Sequence, residues 1–312
     1  MSPTRKRNIG HSVFQRLLKH AKIHGEDFNL LLLRYGVERL LYRLSISTYA
    51  DRFILKGASL FLVWKVQDYR VTKDADLLGF GNADTERITR IFRKLCKIVT
   101  EDIDGIEFIP DTVKAVPIRE EHVYGGIRVT LMGMLHQAQI PLQIDICFGD
   151  AVTPAPERIK FPTLLQTPPP ELLAYPRYTM VAEKLEAMVR LGMANSRMKD
   201  FYDVFLLSRL FDFDGWILCD AIRNTFVRRS TSLPRGLPMP FTDEFRKDTQ
   251  KQNQWRAFLH KAKPKNVPEE IDTVIGEIAS FLAPVIKAAS DDKPFKSTWS
   301  KGGSWSITPI SQ

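Results

Sequence analysis

The sequence predicts an α+β protein, and three observations carry that prediction. Between Phe53 and Phe148, short apolar or alternating runs recur at strand length. A proline cluster then breaks the pattern at Pro154, Pro156, Pro162 and Pro168–Pro170. From Tyr178 to Ala289 the apolar spacing becomes helical. A mixed sheet lobe is therefore expected over 1–153 and a mainly helical lobe over 154–290. The stretch 291–312, rich in Ser, Lys, Gly and Asp, is expected to be a flexible tail.

Taken in order, residues 11–24 place Val13, Phe14, Leu17, Leu18 and Ala21 at helical spacing, and Phe28–Leu44 forms a second, strongly apolar helix. Phe53–Leu55 reads as a strand ending at Lys56-Gly57. Leu60–Val66 is too long and uniform for a second strand directly after it, so a helix follows the turn. Asp74–Leu78 is the next strand. Asn82 or Asp84 is placed to cap a helix running to about Val99. Strands follow at Ile106–Ile109, Val113–Ile118, Ile127–Leu135 and Pro141–Phe148, with Gly125-Gly126 marking a turn. Past the prolines, helices are expected at Tyr178–Leu191, Lys199–Leu210, Trp216–Arg228, Asp243–Lys261 and Pro268–Ala289.

Composition bounds the function. The 312 residues are 44% hydrophobic and 26% charged, enough for a large core and two lobes. No run reaches the roughly 18 apolar residues of a membrane span. The basic N-terminus lacks an apolar stretch behind it and does not read as a secretory signal. Cys96, Cys147 and Cys219 are scattered and odd in number, as expected of reduced thiols, so a cytoplasmic location is expected. Neither Cys nor His shows metal-ligand spacing. A net charge of +9 biases the chain toward polyanions such as RNA, although plain solvated basic faces are also common.

The chemistry concentrates in Leu55–Phe80. Asp74 and Asp76, two apart on a strand, point to one face and repel each other. For oxygen-only ligands the cation that relieves such repulsion is usually Mg2+. Gly57 and Ser59 sit at a strand-to-helix turn, where exposed backbone N–H groups suit a phosphate. A metal clamp beside a phosphate cradle suggests chemistry on a nucleoside triphosphate. Asp145 stands opposite the core-forming residues of its strand, which alone is equally the pattern of a solvated residue. Lys184 falls on the inward stripe of its helix and needs either a partner or a route for its ammonium to solvent. Asp200 and Asp203 share a side of their helix, which could equally serve its N-terminal dipole. Glu183 reads as surface.

The order Lys56-Gly57-Ala58-Ser59, then Arg70-x-Thr72-x-Asp74-x-Asp76, then Asp145 in QIDICFGD, Lys184 in VAEKLEAM and Lys199-Asp200 in RMKDFYDVFLL resembles the AbiEii/AbiGii-type nucleotidyltransferase toxins, a group that includes the MenT toxins. The match spans about residues 55–210. It departs from the pattern at Ala58-Ser59, where many relatives have a second glycine, and at Ala75. The resemblance implies a nucleotidyltransferase-type sheet lobe with an NTP as substrate. It implies Mg2+ on Asp74, Asp76 and Asp145, with Asp145 also helping to deprotonate the acceptor hydroxyl. Lys56, Gly57, Ser59 and Lys184 would hold the nucleotide, and Asp200 would orient Lys184 or a basic neighbour. It further implies an acceptor such as the 3′ end of tRNA, a block of translation, a role in phage defence, and an antitoxin partner, often with a winged-helix DNA-binding part. Arg228, Arg229, Arg235, Lys261, Lys263 and Lys265 are candidates for the RNA backbone. Two alternatives stay open: the same transfer onto a protein or small-molecule hydroxyl, and a non-catalytic basic RNA- or nucleotide-binding protein.

Overall fold

The computed structural model describes residues 3–66, 69, 72–101, 104–118 and 125–307, with the backbone alone for 3–8. Arg70 of the motif above lies outside the described residues. The chain divides into two units. The first takes residues 1–66, 72–149 and 157–174, and the second takes 67–71, 150–156 and 175–312.

The first unit opens with α1 (Pro3–His24) and α2 (Phe28–Ser45), the latter capped by Asp27, whose carboxylate accepts from the Leu30 N–H at 2.9 Å. There follow β1 (Phe53–Lys56), a 3-10 turn (Gly57–Ser59), the one-turn helix α3 (Leu60–Val63) and β2 (Ala75–Gly79). Next comes α4 (Thr85–Cys96), capped by Asp84. The strands β3 (Ile106–Ile118), β4 (Gly126–Leu135), β5 (Ala138–Phe148), β6 (Glu157–Lys160) and β7 (Glu171–Ala174) complete it. All seven strands join one mixed sheet in the order β3-β4-β5-β2-β1-β7-β6.

Alternation in β4 and β5 decides which face is core. Ile127, Val129, Leu131 and Leu135 are buried with Ile140, Leu142, Ile144 and Ile146, while Arg128, Thr130, Gln143 and Asp145 take the other face. Helix α2 comes close to this apolar face at Gly36. A Cβ there would stand 2.9 Å from Leu142 Cδ2 and 3.0 Å from Ile140 Cγ2, so the residue must be small.

The apolar pattern of α2 gave no sign of a second feature. Glu38, Arg39 and Arg43 are all buried. Arg43 Nη1 donates to Asp104 Oδ2 at 2.7 Å, Arg39 Nε to the same oxygen at 3.2 Å, and the Tyr35 hydroxyl to the Asp104 carbonyl at 2.6 Å. Glu38 accepts from the Leu164 N–H at 2.8 Å. Burial nevertheless pushes the Glu38 carboxyl up to about 7, against the opposing pull of Leu164 and Arg39.

The second unit carries α5 (Arg177–Leu191), α6 (Met198–Leu210), β8 (Phe213–Asp214), α7 (Gly215–Arg228), α8 (Asp243–Arg246), α9 (Thr249–Ala262) and α10 (Ile271–Ser290). It ends in β9 (Ser297–Trp299) and β10 (Trp305–Ile307), which form a three-stranded sheet with β8.

Four expectations are corrected. The proline cluster does not end the first unit: residues 157–174 return to the sheet as β6 and β7, and the prolines at 162 and 168–170 lie in the loop between those strands. Residues 291–307 are not a flexible tail. Their β9–β10 hairpin buries Trp299, whose Nε1 donates to the Ser208 carbonyl at 2.6 Å. The helix expected over Asp243–Lys261 is two helices, because the Asp248 carboxylate caps a new start by accepting from the Lys251 N–H at 2.9 Å. The helix expected over Leu60–Val66 stops at Val63. Lys65 adopts φ +56°, the Lys65 N–H reaches the Leu62 carbonyl at 3.1 Å and the Val66 N–H the Phe61 carbonyl at 2.9 Å, a Schellman closure.

Candidate active site

Strand register assembles the first half of the site. Asp76 on β2 is paired with Asp145 on the parallel neighbour β5 and with Lys56 on the antiparallel neighbour β1. Asp145 is in turn paired with Arg128 on β4. Directly paired residues on adjacent strands share a face. Four neighbouring strands therefore set out one row, Arg128–Asp145–Asp76–Lys56, with two carboxylates flanked by two cations. Asp145, which its own strand left ambiguous, lies beside Asp76 and not alone on a solvated face. Asp74 lies just before the first residue of β2, with its carbonyl accepting from the Thr72 hydroxyl at 3.2 Å. It is at the approach to the strand and not on it.

Gly57 closes under this row. Its φ is +73°, which L side chains rarely adopt, and a Cβ there would collide with the Asp76 carboxylate. Sequence reading chose Gly57 for a phosphate, and the structure gives the position a further demand, room for Asp76. Ser59 is buried, and its hydroxyl donates to the Lys56 carbonyl at 3.3 Å. With α3 only one turn long, the dipole behind this turn is smaller than a full helix would supply. Lys56 Nζ lies 3.1 Å from Cys147 Sγ, on the same face as Asp145.

Arg128 escaped sequence reading. Its Nε donates to Asp145 Oδ1 at 2.8 Å and its Nη2 to Oδ2 at 2.7 Å, a bidentate fork. With its amide oxygen facing the guanidinium, Gln143 accepts from Nε at 3.1 Å and Nη2 at 3.3 Å. The hydrogen bond to Asp145, aided by the charges of Asp74 and Asp76, raises the guanidinium above its ordinary value. The two residues are 17 apart in sequence, and only the β4–β5 register makes them neighbours.

The second unit holds the other predicted residues. Lys184 Nζ lies 2.8 Å from Asp200 Oδ1 and 2.7 Å from Asp203 Oδ2, and Arg197 Nε donates to Asp200 Oδ2 at 2.6 Å. Both aspartates are buried, whereas Lys184 keeps 13% of its side chain accessible. Burial alone would raise the Asp200 carboxyl, but Lys184 and Arg197 hold it well below the usual carboxylate range. Asp200 and Asp203 thus both pair with Lys184, and Arg197 shares Asp200.

Two expectations fail here. Glu183 is not a surface residue, because it pairs with Arg229 at 3.2 Å and accepts from the Tyr175 hydroxyl at 3.1 Å. Arg229 is not available to an RNA backbone. It is caged by Asp150, Glu183 and Glu186 at 3.0, 3.2 and 2.9 Å, and these carboxylates keep it charged against the effect of burial. Arg228, Arg235, Lys261, Lys263 and Lys265 are exposed.

The donor chemistry of the row, carboxylate oxygens alone, suits a hard cation such as Mg2+. Among the described residues no three His, Cys, Asp or Glu side chains are grouped to hold a metal ion, so the expected set of Asp74, Asp76 and Asp145 is not gathered into one cluster. A Mg2+ site commonly uses one or two carboxylates and leaves its remaining positions to water and substrate phosphates. The in-register pair fits that form.

The α+β architecture, with its seven-stranded mixed sheet, is that of the nucleotidyltransferase class. The family model described as "Nucleotidyl transferase AbiEii toxin, Type IV TA system" matches residues 39–277, and the chain belongs to that family. It is a nucleotidyltransferase of a toxin–antitoxin system, which implies an antitoxin partner. Among solved structures, it is similar to JHP933 from Helicobacter pylori, at 13% identity and a TM-score of 0.47, over 88% of this chain and 94% of that one. A candidate nucleotidyltransferase from H. pylori is similar at 12% identity and a TM-score of 0.46, over 88% and 96%. No curated protein matches. No helix among the described residues is long and apolar enough to cross a membrane.

Proposed function

We propose that this toxin transfers a nucleotide from an NTP to an acceptor hydroxyl in a Mg2+-dependent reaction, with the 3′ end of tRNA as the acceptor, and so blocks translation. The observation that carries the metal assignment is the register pairing of Asp76 with Asp145. Asp74, Asp76 and Asp145 would hold one or two Mg2+, which when bound would neutralise triphosphate charge and lower the barrier to attack at the α-phosphorus. Asp145 also helps to draw the proton from the acceptor hydroxyl. Lys56 and the backbone of the Gly57–Ser59 turn bind terminal phosphates. Lys184, held by Asp200 and Asp203, presents a fixed positive charge to the triphosphate as the oxygen–phosphorus bond to the acceptor forms and the bond to pyrophosphate breaks.

The acceptor assignment draws on the family and on charge. The chain carries +9, and α1, PTRKRNIGHSVFQRLLKHAKIH, has six Lys or Arg and no acidic residue. The antitoxin is expected to be a winged-helix DNA-binding protein encoded beside the toxin, and phage defence is the expected setting.

The test incubates the purified protein with Mg2+, each labelled NTP in turn, and total tRNA. Label entering RNA with release of pyrophosphate supports the reading. Label entering protein or small molecules moves the acceptor, and no pyrophosphate release with any acceptor refutes the enzymatic assignment of these residues. Asp76→Asn should abolish transfer, and full activity in that variant would overturn the metal assignment.

A further inference from the structure

The carboxylate row contains one cation to which neither the family motifs nor the proposed chemistry gives a task. Arg128 is 40% exposed and Asp145 17% exposed, so as a plain cross-strand ion pair theirs would contribute little to stability. Its geometry is nonetheless specific. Both oxygens of one carboxylate are taken by the two parallel N–H groups of the guanidinium, and the register between β4 and β5 sets the two residues directly opposite each other. The Gln143 amide oxygen supports the guanidinium from the same strand as Asp145. On its other side Asp145 meets Asp76, one strand away. Strands lie about 4.8 Å apart, close enough for two carboxylates to repel strongly and to turn away from each other when nothing holds them.

We propose that Arg128 is a positioning residue. Its fork fixes the plane of the Asp145 carboxylate and offsets the repulsion from Asp76, so the pair is organised before cation and nucleotide arrive. The inference rests on the reading of Asp145 as a metal-holding residue. A bidentate fork restricts carboxylate rotation in a way that a single ammonium cannot, because lysine offers a point charge without two coplanar donors. The oxygens each retain a second lone pair, so the fork does not consume the capacity of Asp145 to bind a cation.

The experiment compares wild type, Arg128→Lys, Arg128→Met, Asp145→Asn and the Arg128→Met/Asp145→Asn double variant. Mn2+ binding is measured by electron paramagnetic resonance on the full chain with a non-hydrolysable NTP, alongside nucleotidyl transfer across a Mg2+ titration. Both Arg128 variants should weaken Mn2+ binding and raise the half-saturating Mg2+ by about tenfold, the scale at which residues orienting a metal ligand act. The KM for NTP at saturating Mg2+ should stay near wild type. Arg128→Lys should not rescue, although it preserves charge. In the Asp145→Asn background, Arg128→Met should add nothing, because its effect passes through Asp145.

Wild-type Mn2+ binding in both Arg128 single variants overturns the proposal. So does tighter binding, which would make Arg128 a competitor of the cation, and so does an additive double variant. If Arg128→Met does not fold, Arg128→Lys carries the same comparison. Failure of the functional reading is separable: a wild type that binds Mn2+ but transfers no nucleotide sinks the proposed function, while the binding measurements still decide the role of Arg128.

Discussion

Gly57 is placed under two independent demands, a positive φ and a vacancy for the Asp76 carboxylate. Gly57→Ala should therefore cost about 1–2 kcal/mol of backbone strain and also displace Asp76. Nucleotidyl transfer should drop well beyond what the modest fall in denaturation midpoint explains, and a variant with unchanged transfer would show that Asp76 does not need its present position. Lys184 calls for a different design. It is the cation shared by two buried aspartates, so Lys184→Ala removes a partner from both while Arg197 still reaches Asp200, and should destabilise the fold by about 3 kcal/mol. Activity lost in that variant reports on folding as well as on phosphate binding. Lys184→Arg keeps the charge and should retain most of the stability while losing transfer, as read by urea unfolding beside the transfer assay. The depressed Asp200 carboxyl sets a pH dependence with a definite sign. Its contribution is complete above the unfolded value of about 4 and is lost as pH falls below that. Glu38 has the opposite sign, because its raised carboxyl favours the fold at low pH and that benefit disappears as pH rises toward about 7. Glu38→Gln should flatten urea midpoints measured between pH 5 and 8, and an unchanged slope would place the titration elsewhere. Asp74, Asp76, Lys184 and Asp200 were legible in the sequence because each stands in a local motif. Asp203 was visible as a helix-face neighbour of Asp200, but Arg128 and the caging of Arg229 were not, because long-range register and three-dimensional burial decide their partners.

At the scale of elements, helix and strand types followed from apolar periodicity, and the misreadings fall where a single side chain or a distant surface decides. The capping carboxylate of Asp248 splits one apolar-periodic stretch into α8 and α9. The Schellman closure at Lys65 halts α3 although Trp64 and Val66 are apolar. The β9–β10 hairpin was missed because its composition is that of a tail. Its stability comes from aromatic contacts: Trp299 and Trp305 ring centroids lie 4.9 and 5.9 Å from that of Phe281 on α10, and Trp305 Nε1 donates to the Phe281 carbonyl at 2.8 Å. Trp299→Ala should cost about 3–5 kcal/mol, in the range for a buried aromatic. Deleting residues 291–312 should lower the melting temperature further, since it also exposes Phe213 and Phe281. Thermal melts of the two variants, side by side, check both, and an unaltered melt in the truncation would make the hairpin dispensable.

For the whole molecule, charge is the property that sequence reports without any structure. If an RNA backbone is the partner, transfer to tRNA should fall steeply between about 50 and 200 mM salt, while the KM for NTP changes far less. Equal salt dependence for both would remove the argument for a polyanionic acceptor. The identity of the acceptor was not legible in the motif, because the chemistry at phosphorus is the same whatever hydroxyl attacks. The antitoxin was not legible from residues either, since a partner encoded by a second gene leaves no mark in this chain's local patterns.

The return of residues 157–174 to the sheet also bears on how the protein comes off the ribosome. β7 pairs with β1, the strand that carries Lys56, so that strand lacks a neighbour until residue 174 has cleared the exit tunnel. A nascent chain ending at 150 would present the carboxylate row on an unfinished sheet, with β1 as an open edge. By the proposed mechanism even a chain that has completed this sheet would still lack Lys184, Asp200 and Asp203, which follow on α5 and α6.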